Sequence, residues 1–128
     1  MTTILVIDDD PTSCHLVRAI LEAEGYTLLC AGGGDEGLRL FRQHHVDVVI
    51  TDILMPGTDG LAVIRELLTT TPEIKIIALS GGGMILTAET SLHVARKMGA
   101  FTSLSKPFAR AELLAAVRRV LRSGGEEP

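Results

Sequence analysis

Val46-Asp47-Val48-Val49-Ile50-Thr51-Asp52 is an apolar, β-branched run that ends in a carboxylate. Three other runs follow the same plan. Ile4-Leu5-Val6-Ile7 leads into Asp8-Asp9, Ile74-Lys75-Ile76-Ile77-Ala78-Leu79 leads into Ser80, and a weaker run around Leu104 ends at Lys106-Pro107. Helical patterns separate them, and that alternation specifies a parallel sheet in which every strand points the same way. Ligands of such sheets bind in the crevice outside the carboxyl ends of the strands. One rule of folding therefore gathers Asp8, Asp9, Asp52, Ser80 and Lys106 into one cleft. Three carboxylates, a hydroxyl and an ammonium in one place describe a magnesium-dependent phosphate site.

The remaining elements follow from spacing and punctuation. Residues 3–8 form the first strand, and Asp10-Pro11 supplies the N-cap and first position of a helix, where the missing proline N–H costs nothing. Leu16, Val17, Ile20 and Leu21 give that helix one apolar face, and it ends near Gly25. A shorter strand covers 27–31. After the loop Gly32-Gly33-Gly34, Asp35 is the expected cap of a helix that carries Leu38, Leu40 and Phe41 toward His44. The third strand covers 46–51 and is followed by a loop, Met55-Pro56-Gly57-Thr58-Asp59-Gly60. Leu61, Ile64, Leu67 and Leu68 mark a third helix, stopped by Thr71-Pro72. The fourth strand is 74–79, the fourth helix 85–98, the fifth strand 102–105 and the fifth helix 108–122, burying Leu113, Leu114, Val117, Val120 and Leu121. Five such units with short links imply right-handed crossovers and helices on both faces. The expected architecture is α/β: a single doubly wound, five-stranded parallel sheet in the order 2-1-3-4-5, with one domain over 1–122 and a polar tail over 123–128.

Bulk properties narrow the class. At 128 residues, 46% hydrophobic and 22% charged, the chain suits one compact domain rather than a disordered segment. A net charge of −4 gives no attraction to nucleic acid or anionic membrane. No apolar stretch approaches the roughly 18 residues needed to span a bilayer. The first residues enter a strand directly, which leaves no room for a signal peptide. Cys14 and Cys30 are too few for a disulfide framework and lack metal-ligand spacing. A cytoplasmic protein with no direct nucleic-acid or membrane partner is expected.

Converging carboxylates repel one another, and a hard divalent cation with oxygen ligands relieves the repulsion. Magnesium would clamp a transferring phosphoryl group, with Lys106 as a second, mobile charge and Ser80 as a hydroxyl donor to a phosphate oxygen. A carboxylate is itself a nucleophile toward phosphorus. Asp52 stands alone on the central strand, while Asp8 and Asp9 form the metal-side pair.

The chain resembles the receiver domain of bacterial two-component response regulators over about residues 3–122, in the stand-alone, chemotaxis-regulator-like form. The resemblance rests on Asp8-Asp9, on Asp52 with Met55-Pro56 and Asp59-Gly60 after it, on Ser80, and on Lys106-Pro107-Phe108. It implies a flavodoxin-like fold and a phosphorylatable switch rather than a turnover enzyme. Asp52 would accept phosphate from a phosphohistidine on a sensor histidine kinase or a histidine phosphotransfer protein. Asp9, Asp52 and the Leu54 backbone carbonyl would bind Mg2+ directly, and Asp8 would hold it through water. Ser80 and Lys106 would sense the phosphate, and Lys106-Pro107 would be a cis peptide. The surface of the fourth helix, fifth strand and fifth helix would meet a downstream target protein, with Thr90, His93, Arg96 and Lys97 exposed on it.

Three features depart from the family pattern. Ser103 stands where many receivers carry the aromatic residue that rotates on activation, and the nearest aromatic is Phe101. Gly81-Gly82-Gly83 would leave the loop after Ser80 unusually free, at about 1–2 kcal/mol per residue to order it. Leu54 is apolar where a polar side chain could position attacking water, so autodephosphorylation is expected to be slow. Other residues have ordinary readings: Cys14 and Cys30 as inert thiols, His44-His45 as a solvated helix end, His15 and His93 as solvent-exposed, and Arg118, Arg119 and Arg122 as a solvated helix face. Gly32-Gly33-Gly34 opens no dinucleotide fingerprint.

The alternatives are a phosphate-independent pseudo-receiver, against which the intact Asp8, Asp9, Asp52 and Lys106 set argues, and the receiver fragment of a DNA-binding regulator. A phosphatase of the haloacid-dehalogenase type would need D-x-D after the first strand and usually a cap domain. Here Asp8-Asp9-Asp10-Pro11 stands in its place. Electrostatics alone yields one prediction: Asp52→Asn raises the melting temperature in chelator by relieving carboxylate repulsion, and abolishes phosphorylation. Thermal unfolding in EDTA, beside wild type, checks it.

Overall fold

The structure, a computed structural model, describes residues 1–55, 58–81 and 102–125. Five parallel strands make the sheet: β1 (Thr3–Ile7), β2 (Thr27–Ala31), β3 (Val48–Asp52), β4 (Lys75–Gly81) and β5 (Thr102–Lys106), in the order β2-β1-β3-β4-β5. Among the described residues there are four helices, α1 (Pro11–Glu22), α2 (Gly34–Gln43), α3 (Gly60–Thr70) and α4 (Arg110–Gly125). The expected doubly wound α/β sheet, order 2-1-3-4-5, is the fold observed. The expected fourth helix over 85–98, with Thr90, His93, Arg96 and Lys97, lies outside the described residues, as do Phe101 and the last two glycines of Gly81-Gly82-Gly83.

The pleat sorts the core into two layers. Ile4, Val6, Val48, Ile50, Ile77 and Leu79 face one side and pack with Val17, Ile20 and Leu21 of α1 and Leu113, Val117 and Val120 of α4. Their neighbours Leu5, Ile7, Val49, Ile76 and Ala78 face the other side and pack with Val63, Ile64 and Leu67 of α3. Successive strand residues point to opposite faces, so a one-residue slip would exchange the two sets. Both sets are apolar, because a parallel sheet is covered on both sides. The registers Val6↔Cys30, Val6↔Ile50, Ile50↔Ile77 and Leu79↔Leu104 carry the carboxyl ends of β1, β3, β4 and β5 to one edge.

Several boundaries differ from expectation for local reasons. β1 ends at Ile7, and Asp8 contributes one more ladder bond, donating its N–H to the Ala31 carbonyl at 3.0 Å. β3 begins at Val48, and just before it Asp47 clasps Thr3, its N–H donating to the Thr3 carbonyl at 2.9 Å and its Oδ2 accepting the Thr3 N–H at 2.8 Å. Asp35 does not cap α2. The cap position is Gly33, Asp35 and Glu36 occupy the first turn, and Glu36 Oε1 reaches back to accept the Gly32 N–H at 2.8 Å. A carboxylate there still meets the positive end of the helix. Leu16 is 50% exposed, since the buried face of α1 runs through Val17, Ile20 and Leu21, with Cys14 packed beside it. Leu61, Leu68 and Leu121 only half enter the core, and Val63 supplies the deeper contact on α3. The stretch expected as a loop after β3 holds a small antiparallel ribbon, Leu54–Met55 against Thr58–Asp59. Gly25, with φ +93°, turns the chain from α1 into β2 through a conformation that side chains disfavour.

Arg118 is not simply solvated: it and Arg110 both reach Glu24, at 3.0 and 3.3 Å, tying α4 to the segment after α1. Exposed pairs of this kind contribute about 0–1 kcal/mol, less than the roughly 1.5–3 kcal/mol from burying one large apolar side chain. Packing therefore holds the helices. No helix among the described residues is long and apolar enough to cross a membrane.

Asp10 does cap α1, its side chain accepting the Thr12 N–H at 3.0 Å, with Pro11 at the first helical position. Asp10→Ala is expected to lower unfolding stability by about 1 kcal/mol, read from the urea midpoint at neutral pH.

Candidate functional site

The sheet edge delivers the expected cluster. Asp8 follows β1 and is 1% exposed, Asp52 ends β3 and is 5% exposed, and Lys106 ends β5. Lys106 Nζ stands between the two carboxylates, 2.7 Å from Asp8 Oδ2 and 2.9 Å from Asp52 Oδ2. The other Asp8 oxygen, Oδ1, accepts the Asp10 N–H at 2.9 Å, so both oxygens of this buried group are engaged. Asp9 is exposed, yet one oxygen from each of Asp8, Asp9 and Asp52 lies within 4.8 Å of the others.

Burial works against the charge on Lys106, but the hydrogen bonds to Asp8 and Asp52, and their negative charges, outweigh it and hold its pKa above the usual lysine value. One ammonium facing three carboxylates leaves two negative charges in excess. A hard cation with oxygen ligands suits that excess. The donor set is all carboxylate, its one exposed member, Asp9, is reachable, and each Asp8 oxygen, accepting one hydrogen bond, keeps a further lone pair for a water on the ion. The residues fit a magnesium ion.

Ser80 is completely buried on β4, opposite Ser105 of β5, and its Oγ has no hydrogen-bond partner among the described residues. A buried hydroxyl left without a partner costs about 1–3 kcal/mol, and at a sheet edge beside Asp52 a phosphate oxygen would supply one. The Lys106–Pro107 peptide is cis, as the resemblance implied. Ser103 is half-buried on β5 and pairs in register with Ala78. Leu54 lies on the ribbon, one residue past Ile53.

Three features of the site were not legible in the sequence. One is the pairing of Lys106 with Asp8 as well as Asp52, which needs the register of two strands that are not neighbours in the chain. Another is Thr51, fully buried next to the acceptor candidate, whose hydroxyl donates to the Asp52 carbonyl at 3.1 Å. Its β-branched, apolar neighbours made it look like one more strand residue. The third is Cys14, whose Sγ sits 3.7 Å from the Asp8 carbonyl. Burial pushes that thiol up to about 12, with Cys30 and Asp8 adding to the effect. Such a thiol is protonated at neutral pH and unreactive, in line with the expectation for it.

The class is thus a doubly wound α/β protein with an acidic triad and a lysine at the carboxyl edge of its sheet. The comparisons narrow it. A profile of the response regulator receiver domain matches residues 4–118, and the chain belongs to that family. It is 35% identical over 123 residues to protein PilH of Pseudomonas aeruginosa, covering 94% of this chain and 98% of PilH. It is 37% identical over 119 residues to the response regulator MprA of a Mycobacterium species, covering 93% of this chain and 50% of MprA. The chain thus spans about half the length of the MprA-type relatives it matches. A receiver domain protein from Clostridium thermocellum superposes with a TM-score of 0.87 at 35% identity, covering 95% of each chain. Receiver domains are signalling switches rather than enzymes, and they act in two-component systems with sensor kinases and downstream targets.

Lys106→Met removes the ammonium from two buried carboxylates. Breaking a buried pair in this way is expected to cost about 3–5 kcal/mol at neutral pH in EDTA, with much of the loss recovered by MgCl2 and by acid. In wild type the folded pKa of Lys106 lies above the ordinary 10.5, so its contribution is full below pH 10.5 and fades as pH rises through the folded value. Urea midpoints across pH, with and without MgCl2, test both statements.

Proposed function

We propose that this chain is a phosphorylatable switch in which Asp52 takes a phosphoryl group from a phosphohistidine on a sensor histidine kinase or a histidine phosphotransfer protein. The observation that carries the reading is the convergence of Asp8, Asp9 and Lys106 on Asp52 at the sheet edge. An Asp52 carboxylate oxygen attacks phosphorus and forms the new O–P bond. The P–N bond to the donor imidazole breaks, its electron pair stays on the ring nitrogen, and that nitrogen takes up a proton. The product is an aspartyl-phosphate.

Asp9, Asp52 and the Leu54 backbone carbonyl would hold magnesium, with Asp8 engaged through water. When bound, the ion supplies positive charge to the phosphoryl oxygens as negative charge builds on them. Lys106 leaves its two carboxylates far enough to meet the phosphate, and the buried Ser80 hydroxyl donates to another phosphate oxygen. Both residues sit on neighbouring strands, β4 and β5, so a dianionic group at Asp52 pulls on that side of the sheet. The phosphate shifts a pre-existing equilibrium by its differential affinity for the active arrangement.

On this reading the readout surface includes the side of β5 and α4. On the described part of that side a groove of about 280 Å³ runs past Ser103, Leu104 and Ala116, with Glu112 and Arg119 at its rim. The space suits a readout that does not depend on a rotating aromatic side chain at position 103. A target protein, or a histidine awaiting phosphate in a relay, is the partner on this reading, and the cytoplasm is its place of action. The relatives include both a protein matched end to end and regulators matched over half their length, so a receiver working within a longer DNA-binding regulator is the second reading.

Intact mass after incubation with MgCl2 and phosphoramidate is the deciding experiment. Wild type is expected to gain one phosphoryl group and Asp52→Asn none, and the adduct is expected to outlast seconds because Leu54 offers no polar group to orient water. An adduct on Asp52→Asn, or none on wild type even with a cognate kinase, would overturn the assignment.

A further inference from the structure

From Asp52 the chain passes through Ile53 into the ribbon, where Leu54 pairs with Asp59 and Met55 with Thr58, and then comes back at Gly60, the first residue of α3. Gly60 is buried against the peptide the chain has just left. A Cβ there would stand 2.5 Å from the Asp52 carbonyl oxygen, 2.7 Å from the Ile53 carbonyl carbon, and against the Ile53 Cα. All three are main-chain atoms, so no side chain can swing aside to make room. Backbone angle is not the reason for glycine here, since the positive-φ glycine among the described residues is Gly25. The reason is space. On its other sides the same peptide is held by the Ile53 N–H donating to the Leu79 carbonyl at 3.0 Å and by the Thr51 hydroxyl donating to the Asp52 carbonyl at 3.1 Å.

We propose that Gly60 is a positioning residue of the phosphoryl site: by lying directly against the Asp52–Ile53 peptide, it sets where the Asp52 carboxylate and the Leu54 backbone stand relative to Asp9 and Lys106. The proposal rests on the reading of Asp52 as acceptor. An ordinary carbon contact of about 3.5–4.0 Å lies about 1 Å beyond the separations a Cβ would have, so a methyl at position 60 must displace something. α3 is anchored by Val63, Ile64 and Leu67, and β3 runs between β1 and β4 at the centre of the sheet. The short ribbon and the end of β3 are the parts left to yield, and these carry Leu54 and Asp52. The displacement falls on the atoms that receive the phosphoryl group and the cation.

The test compares wild type, Gly60→Ala and Leu67→Ala, the last removing a fully buried side chain from the same helix on its core side. Mg2+ affinity is measured by titration calorimetry with MgCl2 alone, and the rate of phosphate uptake from phosphoramidate at saturating MgCl2, at a temperature where all three are folded. Gly60→Ala is expected to weaken Mg2+ binding about 10-fold and to slow uptake on the order of 100-fold, while Leu67→Ala loses stability and keeps both. Wild-type values in Gly60→Ala, or equal losses in Leu67→Ala, overturn the proposal. Should wild type take no phosphate from phosphoramidate or from a cognate kinase, the acceptor reading falls, and the MgCl2 titration still decides the role of Gly60. Should Gly60→Ala not fold, wild type decides. Adding MgCl2 to isotope-labelled protein is expected to shift the amide signals of Ile53, Leu54 and Gly60 together, and an unmoved Gly60 overturns the proposal.

Discussion

Two carboxylates, Asp8 and Asp52, lie almost wholly inside this protein, and the ammonium of Lys106 answers both. Taking charges out of water costs several kcal/mol for each ion unless partners are close and well aligned. That requirement governs much else in the molecule. β1, β3 and β5 must end at one edge, their registers must agree, and the helices must seal both faces so that the charges meet one another rather than solvent. Three negative groups against one positive group still leave an imbalance, and this stored repulsion gives a cation or a phosphate something to act on. The site is held together by a contact that its proposed ligands must disturb.

The scaffold can carry that tension because its core is spread over two independent layers. Ile4, Val6, Ile50 and Leu79 belong to one and Leu5, Ile7, Val49 and Ala78 to the other. β1, β3 and β4 each contribute to both, so β3 cannot shift without disturbing packing on both faces of the sheet. At the carboxyl edge Asp52 is the last residue of β3 and still pairs with Leu79. From there the chain passes into the ribbon and returns to a close main-chain contact at Gly60.

Ser103 sits in a regular strand whatever its side chain does in the proposed readout. It lines a groove with Ala116 and Arg119, and β4 and β5 pair there through Ala78↔Ser103 and Leu79↔Leu104. Backbone pairing sets the strand, and side-chain size sets what its exposed side offers a partner.

Much of this protein was determined by sequence alone. Alternation of β-branched runs with helical spacing specified a parallel sheet, and Asp8, Asp52, Ser80 and Lys106 each stood at the end of such a run, so their convergence followed from the fold rule. Local chemistry also settled the Asp10-Pro11 cap. Other features were beyond local patterns. Leu16 reads as apolar and proves half-exposed, because the angle at which α1 meets the sheet chooses among neighbouring leucines and valines. Asp35 reads as a cap, but Glu36 reaches Gly32 first. Asp47 is a clasp only because Thr3 is beside it, and Gly60 needs to be glycine only because Asp52 and Ile53 lie beneath it. Lys106 has two partners because the order of strands, not their sequence, puts β1 and β3 within reach of its side chain. Periodicity and turn chemistry act between near neighbours in the chain and can be read there. Contacts between residues far apart in sequence exist only once the sheet has set its order and register, and those were for tertiary structure to decide.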